Sequence, residues 1–219
     1  MDRIELIRAF EKVPSGNAAD ALAELGLPDG FVDAGLYPLA PSQRRAAGFA
    51  VTVKQVSRSQ DPEKAGPARH GQVIDEFLRE GSMLVIDAGG RTDVCTGGGL
   101  MALRSKLLGA SGWVINGAVR DAEEIRALDF PVHLKGTSPV KSVPRLQTAG
   151  VNVPVGIGGV QICPGDLVLA DETGIVVIPP EQAEAVLAKA LEIGRKEEEA
   201  ERLLLAGKSF MQAHDEAGL

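Results

Sequence analysis

The central third of the chain alternates apolar strands with short helices. The strand predicted from Ser82 to Asp87 has an unbroken apolar interior, which is typical of a strand covered on both faces. A helical segment from Leu100 to Leu108, a strand from Gly112 to Asn116, a helix from Ala122 to Leu128 and a strand from Phe130 to Lys135 follow it. Adjacent strands joined by short helices predict parallel pairing with right-handed crossovers.

The flanking segments complete a mixed α/β pattern. Turn sequences such as Pro164-Gly-Asp166 and Asp171 to Gly174 separate short strands near the C-terminus, which predicts antiparallel hairpins. Pro179-Pro180 then opens a long helix, about residues 181–206. Further elements are predicted as helices at 2–13, 18–25 (capped by Asn17 or Ser15) and 73–80, and strands at 47–53, 151–155, 161–163, 167–170 and 174–178. Without a linker or repeat, we expect one domain over residues 1–219.

Composition excludes several classes of protein. The formal net charge of −7 leaves no basic surplus for general binding to nucleic acid or to an anionic membrane. No apolar run approaches the roughly 18 residues of a membrane span. Two cysteines do not form a disulfide framework, and no signal segment opens the sequence. A cytoplasmic, reduced location is the resulting expectation.

Arg120 and Asp121 end the second strand of the central unit. Ligands of parallel α/β sheets bind outside the carboxyl ends of the strands, where this pair is expected. There is a simpler alternative, because Asp121 followed by Glu124 matches a variant of the capping box. In that case Asp121 only caps the next helix and Arg120 is a solvated surface charge.

A glycine-rich loop, Thr96 to Met101, precedes the helix that follows the first of these strands. Three glycines allow backbone amides to converge on a ligand, and the start of a helix favours an anion. The loop matches neither the dinucleotide fingerprint nor the P-loop. A carboxylate held by these amides and by Arg120 suits a small keto acid, and the alternative is a tight turn without a ligand.

Several of these segments together resemble the RraA-like family. They are Gly117-Ala-Val-Arg-Asp121 after a strand, the glycine loop 22 residues before the arginine, Pro164-Gly-Asp166, and Ala170 to Pro179. The resemblance extends from Asp20 to the C-terminal helix and is most specific from Gly112 to Pro131. The family includes the 4-hydroxy-4-methyl-2-oxoglutarate and 4-carboxy-4-hydroxy-2-oxoadipate aldolases.

The resemblance implies a fold, an assembly and a metal site. The implied fold is a swivelling-domain-like β/β/α sandwich with a parallel βαβα core, C-terminal hairpins and a long helix. The implied assembly is a homotrimer or a hexamer, with sites between subunits. Asp121 is expected to hold Mg²⁺ or Mn²⁺ mostly through waters, and Arg120 to bind the carboxylate or keto oxygen of the substrate. The implied backbone contacts to the substrate are those of Gly98, Gly99, Leu100 and Met101.

The activity implied is that of a class II-type aldolase or oxaloacetate decarboxylase. Such a lyase releases pyruvate from a small 2-keto acid through a metal-stabilised enolate. The alternative is a non-catalytic regulator, because the family name comes from a protein that inhibits an RNA-degrading endonuclease by binding to it.

One position departs from the family pattern. The second residue of the loop usually carries a carboxylate, whereas Gly99 carries none. Asp87 and Asp93 are candidates to replace it, although spacing does not choose between them. The family aldolases also use a glutamate from the C-terminal helix of a neighbouring subunit. Here the candidates are Glu197, Glu198 and Glu199, with Glu197 favoured, and a solvated helix face is the alternative.

Four other side chains are weaker candidates. Lys135 ends a strand and is expected to be a surface lysine rather than a Schiff-base former. His70 lies in a long polar loop from which it could reach a site, and His133 is expected to be structural. Cys95 is expected to behave as a small apolar residue.

Overall fold

The computed structural model describes residues 1–41 and 43–219 and has a mixed α/β fold. The helices are α1 (Arg3–Phe10), α2 (Ser15–Glu24), α3 (His70–Phe77), α4 (Gly99–Leu107), α5 (Ala122–Ala127), α6 (Ala183–Leu205) and α7 (Phe210–Ala217). The strands are β1 (Tyr37–Pro38), β2 (Ala46–Ser57), β3 (Ser82–Gly97), β4 (Gly112–Val119), β5 (Val132–Thr137), β6 (Leu146–Val151), β7 (Val155–Ile157), β8 (Val160–Ile162), β9 (Leu167–Ala170) and β10 (Ile175–Ile178).

One large sheet organises the molecule, in the order β1-β5-β4-β3-β2-β9-β10, with β6 also paired to β2. Strands β2, β3, β4 and β5 run parallel to one another, and the alternating pattern predicts this for β3, β4 and β5. The pair β9–β10 is antiparallel, so the hairpin predicted at Asp171 to Gly174 is confirmed together with the α/β class. Pro164-Gly-Asp166 does not close a hairpin, because β8 pairs with β7 and not with β9. No helix among the described residues is both long and apolar enough to span a bilayer.

Strand β3 is longer than predicted and carries the chain from the core to the candidate site. The strand does not end with the apolar run at Asp87 but extends for 16 residues, from Ser82 to Gly97. Gly89 and Gly90 have φ values of +66° and +74°. They produce a bulge: Asp87 pairs with Asn116, and the next pair joins Arg91 to Gly117. The two glycines therefore bend the strand instead of ending it.

Two helix boundaries also differ from the sequence prediction. Helix α2 begins at Ser15 without a side-chain cap, so the predicted capping by Asn17 or Ser15 is wrong. The Ser15 hydroxyl instead donates to Asp171 Oδ1 at 2.7 Å. Helix α3 runs from His70 to Phe77 rather than over 73–80, because Leu78 is extended and fully buried.

Helices α1 to α6 all lie on one face of the sheet. On that face α1, α2 and α6 pack against β2, β9 and β10, and α3, α4 and α5 pack against β3, β4 and β5, since both clusters contain alternate residues of β2. The hairpin β7–β8 packs on the opposite face of the sheet. In the second helix cluster, the fully buried Trp113 donates from Nε1 to Ser105 Oγ at 3.1 Å and meets the Phe130 ring edge to face. A Cβ on Gly97 would lie 2.9 Å from Cζ3 of Trp113, so this ring fixes the path of the glycine loop.

Candidate active site

The ends of two parallel strands meet at the predicted pair. Gly97, the last residue of β3, is paired with Val119, the last residue of β4. The Arg120 amide donates to the Gly97 carbonyl at 3.0 Å, which joins the Arg-Asp pair to the glycine loop. Arg120 Nε and Asp121 Oδ2 are 3.2 Å apart, and their side chains are 48% and 32% exposed. The two predicted halves of the site therefore lie side by side.

Asp121 stands at the start of α5 but does not cap it. Its backbone is left-handed, with φ 56° and ψ 41°, and no side-chain hydrogen bond caps the helix. Oδ2 instead accepts a hydrogen bond from the Gly99 amide at 3.1 Å. A non-glycine residue in this conformation costs on the order of 1–2 kcal/mol and is found where the surroundings impose it. The capping-box alternative is thus wrong, and the Asp121 carboxylate instead accepts from the first amide of α4.

The glycine loop lies close against Arg120 and Asp121. A Cβ on Gly98 would stand 2.7 Å from Asp121 Oδ2 and 3.0 Å from Arg120 Cγ. Gly98 is the N-cap residue of α4 and makes no side-chain cap. The amides of Leu100 and Met101 therefore remain available at the positive end of a nine-residue helix. This arrangement suits a carboxylate.

Arg120 and Asp121 form the wall between two cavities. The larger, about 510 Å³, is lined by Val119, Arg120, Asp121, Ala122, Glu123, Glu124, Arg126, Thr137, Ser138 and Pro139. The smaller, about 200 Å³, is lined by His70, Cys95, Thr96, Gly97, Gly98, Leu100, Met101, Arg120, Asp121, Lys141 and Ser142. All the predicted site residues except Gly99 and Glu197 thus line the smaller cavity.

Gly99 faces the carboxylate of Glu124, which the sequence analysis considered only as the partner of Asp121 in a capping box. A side chain at position 99 would overlap Oε2 of Glu124, and its Cβ would lie 3.2 Å from Cβ and 3.3 Å from Cδ of Glu124. The contact joins residues 25 positions apart, so spacing gives no signal for it.

The two aspartates considered as substitutes are engaged elsewhere. Asp87 is buried, and it accepts from Lys54 Nζ, from Asn116 Nδ2 at 2.9 Å and from the Gly89 amide at 2.8 Å. Asp93 is bound to Arg91, which holds the pKa of its carboxyl below the usual value. Neither aspartate lines the two cavities beside Arg120.

His70 lies on the smaller cavity, as its position in the polar loop allowed. The residue is only 8% exposed, and burial lowers its pKa to about 4, so the imidazole is neutral at pH 7. Nδ1 lies 3.4 Å from Ser142 Oγ, and Nε2 has no partner among residues 1–41 and 43–219. Burial also raises the pKa of Cys95, which keeps it a thiol.

The remaining candidates have structural surroundings. His133 is buried and bonded to Gln43 and to the Asp171 carbonyl, as expected of a structural histidine. Lys135 is exposed. Glu197 accepts a hydrogen bond from Asn17 Nδ2 of its own chain at 2.5 Å. Its predicted role toward a neighbouring subunit stays a prediction.

The donors beside Arg120 fit a hydrated hard cation better than a closed metal cage. Within the described parts of the chain, no three His, Cys, Asp or Glu side chains cluster as a metal site. Asp121 nevertheless offers carboxylate oxygens, and Glu123 and Glu124 line the same cavity. Mg²⁺ is commonly held by one or two carboxylates while it keeps several waters, and Mn²⁺ also prefers oxygen ligands. The residues present therefore fit such an ion.

These features define a mixed α/β protein that presents an Arg-Asp pair and an open helix start at the carboxyl ends of adjacent parallel strands. A family model described as RraA-like, Aldolase/RraA, matches residues 15–177. The chain belongs to the RraA-like family, which confirms the resemblance found in the sequence.

Three relatives illustrate the range of the family. A Halalkalibacterium halodurans protein provisionally named a 4-hydroxy-4-methyl-2-oxoglutarate aldolase is 31% identical over 92% of this chain and 89% of its own length. Legionella pneumophila DlpA is 32% identical over 96% of this chain, which spans only 33% of the length of DlpA. The structure of Streptomyces coelicolor RraAS2, described as an unusual member of the RNase ES inhibitor RraA family, has a TM-score of 0.79 and 31% identity, with 90% of this chain and 96% of that chain covered.

Proposed function

We propose that this protein is a divalent-metal-dependent lyase that cleaves or decarboxylates small 2-keto acids and releases pyruvate. The observation that carries the proposal is the grouping of Arg120, Asp121 and the free first-turn amides of α4 at the ends of β3 and β4. The aldolase name of the Halalkalibacterium relative supports the same class of reaction.

The chain supplies two kinds of group for the substrate. The amides of Leu100 and Met101 bind the carboxylate, as helix starts bind anions. The Arg120 guanidinium lies beside the keto oxygen, where it stabilises the negative charge that develops as the C–C bond breaks. The electron pair of that bond passes toward the keto group, and pyruvate forms when the former bond carbon takes up a proton.

Asp121 is the residue that would hold Mg²⁺ or Mn²⁺, and Glu123 and Glu124 line the same cavity. When bound, the ion supplies Lewis-acid polarisation of the keto group. The hydrogen bond from the Gly99 amide and the contact with Arg120 hold the Asp121 carboxylate in one orientation.

We also propose that the protein is a cytoplasmic homotrimer or hexamer. Leu100, Leu103 and Leu107 are exposed along one face of α4, beside the site, and an exposed apolar stripe favours contact with another copy. Both cysteines are free, as in a reduced compartment. A single monomeric species in light scattering would contradict this assembly and remove the shared-site role of Glu197.

The activity is tested with Asp121→Asn. Purified protein with Mg²⁺ or Mn²⁺ should release pyruvate from oxaloacetate or from a 4-hydroxy-2-keto diacid, and a chelator should abolish the release. Asparagine keeps the shape of aspartate and tolerates a left-handed backbone, but it lacks the charge, so we expect a loss of roughly 100-fold.

Asp93→Asn is the matched control, because Asp93 pairs with Arg91 outside both cavities. It should retain the activity of the unmodified protein. Activity that survives the chelator, or full activity in Asp121→Asn, would contradict the assignment.

The second candidate function is a non-catalytic regulator that acts by protein–protein interaction. The similarity to RraAS2 and the absence of a carboxylate on Gly99 favour it. It predicts no turnover of any 2-keto acid, together with inhibition of an RNase E-type endonuclease by the purified protein.

A further inference from the structure

His70 brings an unused hydrogen-bonding atom to the wall of the smaller cavity. The residue is only 8% exposed, and its Nε2 is buried without a hydrogen-bond partner in the described parts of the chain. Three other buried side-chain atoms lack a partner there, on Gln55, Asn116 and His214, but none of these residues lines either cavity beside Arg120. Buried polar atoms are nearly always paired, so a free nitrogen on a cavity wall points to a ligand.

The contact with Ser142 sets which ring nitrogen of His70 carries the proton. Ser142 Oγ lies 3.4 Å from Nδ1 and has no other acceptor within residues 1–41 and 43–219, so its hydroxyl donates to Nδ1. Burial lowers the pKa of His70 to about 4, so the imidazole is neutral at pH 7 and carries a single proton. That proton is therefore on Nε2, which makes Nε2 a donor suited to a carboxylate oxygen.

The rest of the smaller cavity favours a small anion. The free amides at the start of α4 belong to Leu100 and Met101, which line the same cavity, and the exposed Lys141 adds a positive charge. The hydroxyl of Thr96 is already bonded to the Ala118 carbonyl at 3.2 Å. The volume of about 200 Å³ is below that of pockets for drug-sized ligands, which begin at roughly 300 Å³. A small carboxylic acid suits these dimensions and donors.

We propose that His70 is a substrate-binding residue, whose Nε2–H donates to the carboxylate of the 2-keto acid held at the start of α4. Ser142 is the positioning residue that fixes the tautomer of His70. This inference rests on the proposed lyase function. The pyruvyl end of the substrate then lies in the smaller cavity, and the half that departs extends into the larger one.

The hydrogen bond from His70 is the same before, during and after the C–C bond breaks. The substrate carboxylate keeps its charge throughout, so the bond stabilises the substrate, the transition state and pyruvate alike. Such a contact lowers KM and the inhibition constant of pyruvate without raising kcat. A residue that moved a proton in the reaction would change kcat instead.

The first test compares His70→Leu with His70→Gln in the presence of Mg²⁺. Leucine has no donor, whereas glutamine carries an N–H group about as far along the side chain as Nε2. With His70→Leu we expect KM for oxaloacetate and the inhibition constant of pyruvate to rise about 10- to 100-fold, as for loss of one hydrogen bond to a charged group, with kcat within about 3-fold. His70→Gln should recover most of this loss. His214→Leu, on α7, is the control and should behave as the unmodified protein.

The second test observes the imidazole directly. The chain has three histidines, so NMR of protein labelled with ¹⁵N-histidine gives few signals, and those of His70 are the ones lost in His70→Gln. The unmodified protein should show the Nε2–H tautomer for His70. Saturating pyruvate with Mg²⁺ should shift the Nε2 signal of His70 and leave His133 and His214 unchanged. In Ser142→Ala, both tautomers of His70 should appear, and KM should rise about 3-fold.

The outcomes separate the role of His70 from the function on which it rests. If the unmodified protein turns over no 2-keto acid, the lyase function and the role of His70 both fail. If it is active while His70→Leu keeps KM and the pyruvate inhibition constant within about 2-fold, only the role of His70 fails. A change in thermal unfolding alone, as expected if Nε2 binds only a structural water, would overturn that role too. So would a pyruvate titration that shifts no signal of His70.

Discussion

At the scale of single residues, His70 links the candidate site to the stability of the fold. Burial lowers its pKa to about 4, whereas an unfolded histidine titrates near 6.5. Between these values the unfolded chain binds a proton that the folded chain does not. Stability therefore rises with pH through this window, and it is lost as the pH falls from about 6.5 toward 4.

His70→Gln should remove this pH dependence. Between pH 6.5 and 4, we expect the free energy of unfolding of the unmodified protein to fall by up to roughly 3 kcal/mol more than that of the variant, from 1.36 kcal/mol per pKa unit. Urea unfolding at a series of pH values measures the difference. His214→Gln, on α7, is the control and should leave the difference in place, whereas parallel curves for the unmodified protein and His70→Gln would contradict the argument.

At the scale of elements, Asp171 joins α2, β5 and the β9–β10 hairpin. Its carboxylate accepts from the Ser15 amide at 2.9 Å, from the Ser15 hydroxyl, from the Thr173 amide and from Arg45 Nε at 3.3 Å. Its carbonyl receives His133 Nε2 at 2.7 Å. Burial alone would raise the pKa of Asp171, but the bonds from Ser15, Thr173 and Arg45 outweigh it and lower the pKa.

Asp171→Ala should be strongly destabilising. It leaves the buried Ser15 donors and the partly buried Arg45 without their acceptor, which costs about 3 kcal/mol or more. Asp171→Asn keeps one acceptor oxygen and should lose less. Glu172→Ala, an exposed neighbour in the same turn, should stay within about 0.5 kcal/mol of the unmodified protein in urea unfolding. Equal losses for Asp171→Ala and Glu172→Ala would contradict the proposed junction.

The elements also show what the sequence could and could not predict. The parallel order of β3 to β5 followed from apolar runs alternating with helices, and the β9–β10 hairpin followed from its turn sequence. The length of β3 did not, because Gly89 and Gly90 look like a turn until a partner strand is present. The contact of Gly99 with Glu124 depends on the left-handed backbone of Asp121. The local sequence does not predict that conformation.

At the scale of the whole molecule, the two C-terminal helices contribute unequally. Helix α6 buries Val186, Leu187, Ala190 and Ile193 in the core layer shared with α1 and α2, although the family match ends at residue 177. Helix α7 buries only Ala213. Helix α6 therefore completes a core, and helix α7 lies on its surface.

Truncation should separate these two contributions. A chain ending at Gly207 should remain folded, with a Tm lower by about 5 °C, because it loses little apolar burial. A chain ending at Gln182 should not fold, since the apolar cluster that α6 shares with α1, α2, β9 and β10 would be exposed to water. Circular dichroism and thermal unfolding check both, and a stable, cooperative fold for the shorter chain would contradict this division.

The long strand β3 has a consequence for motion on slow timescales. It begins among buried residues at Ser82 and ends at Gly97, and α4 starts two residues later, so no free segment separates the core from the glycine loop. The Arg120 amide is bonded to the Gly97 carbonyl, and the Cys95 amide to the Val140 carbonyl. The Cys95 and Arg120 amides should therefore exchange with deuterium about as slowly as those in the middle of β4. The wall of the candidate site is therefore rigid before any ligand binds. Any opening movement would come from other parts of the surface.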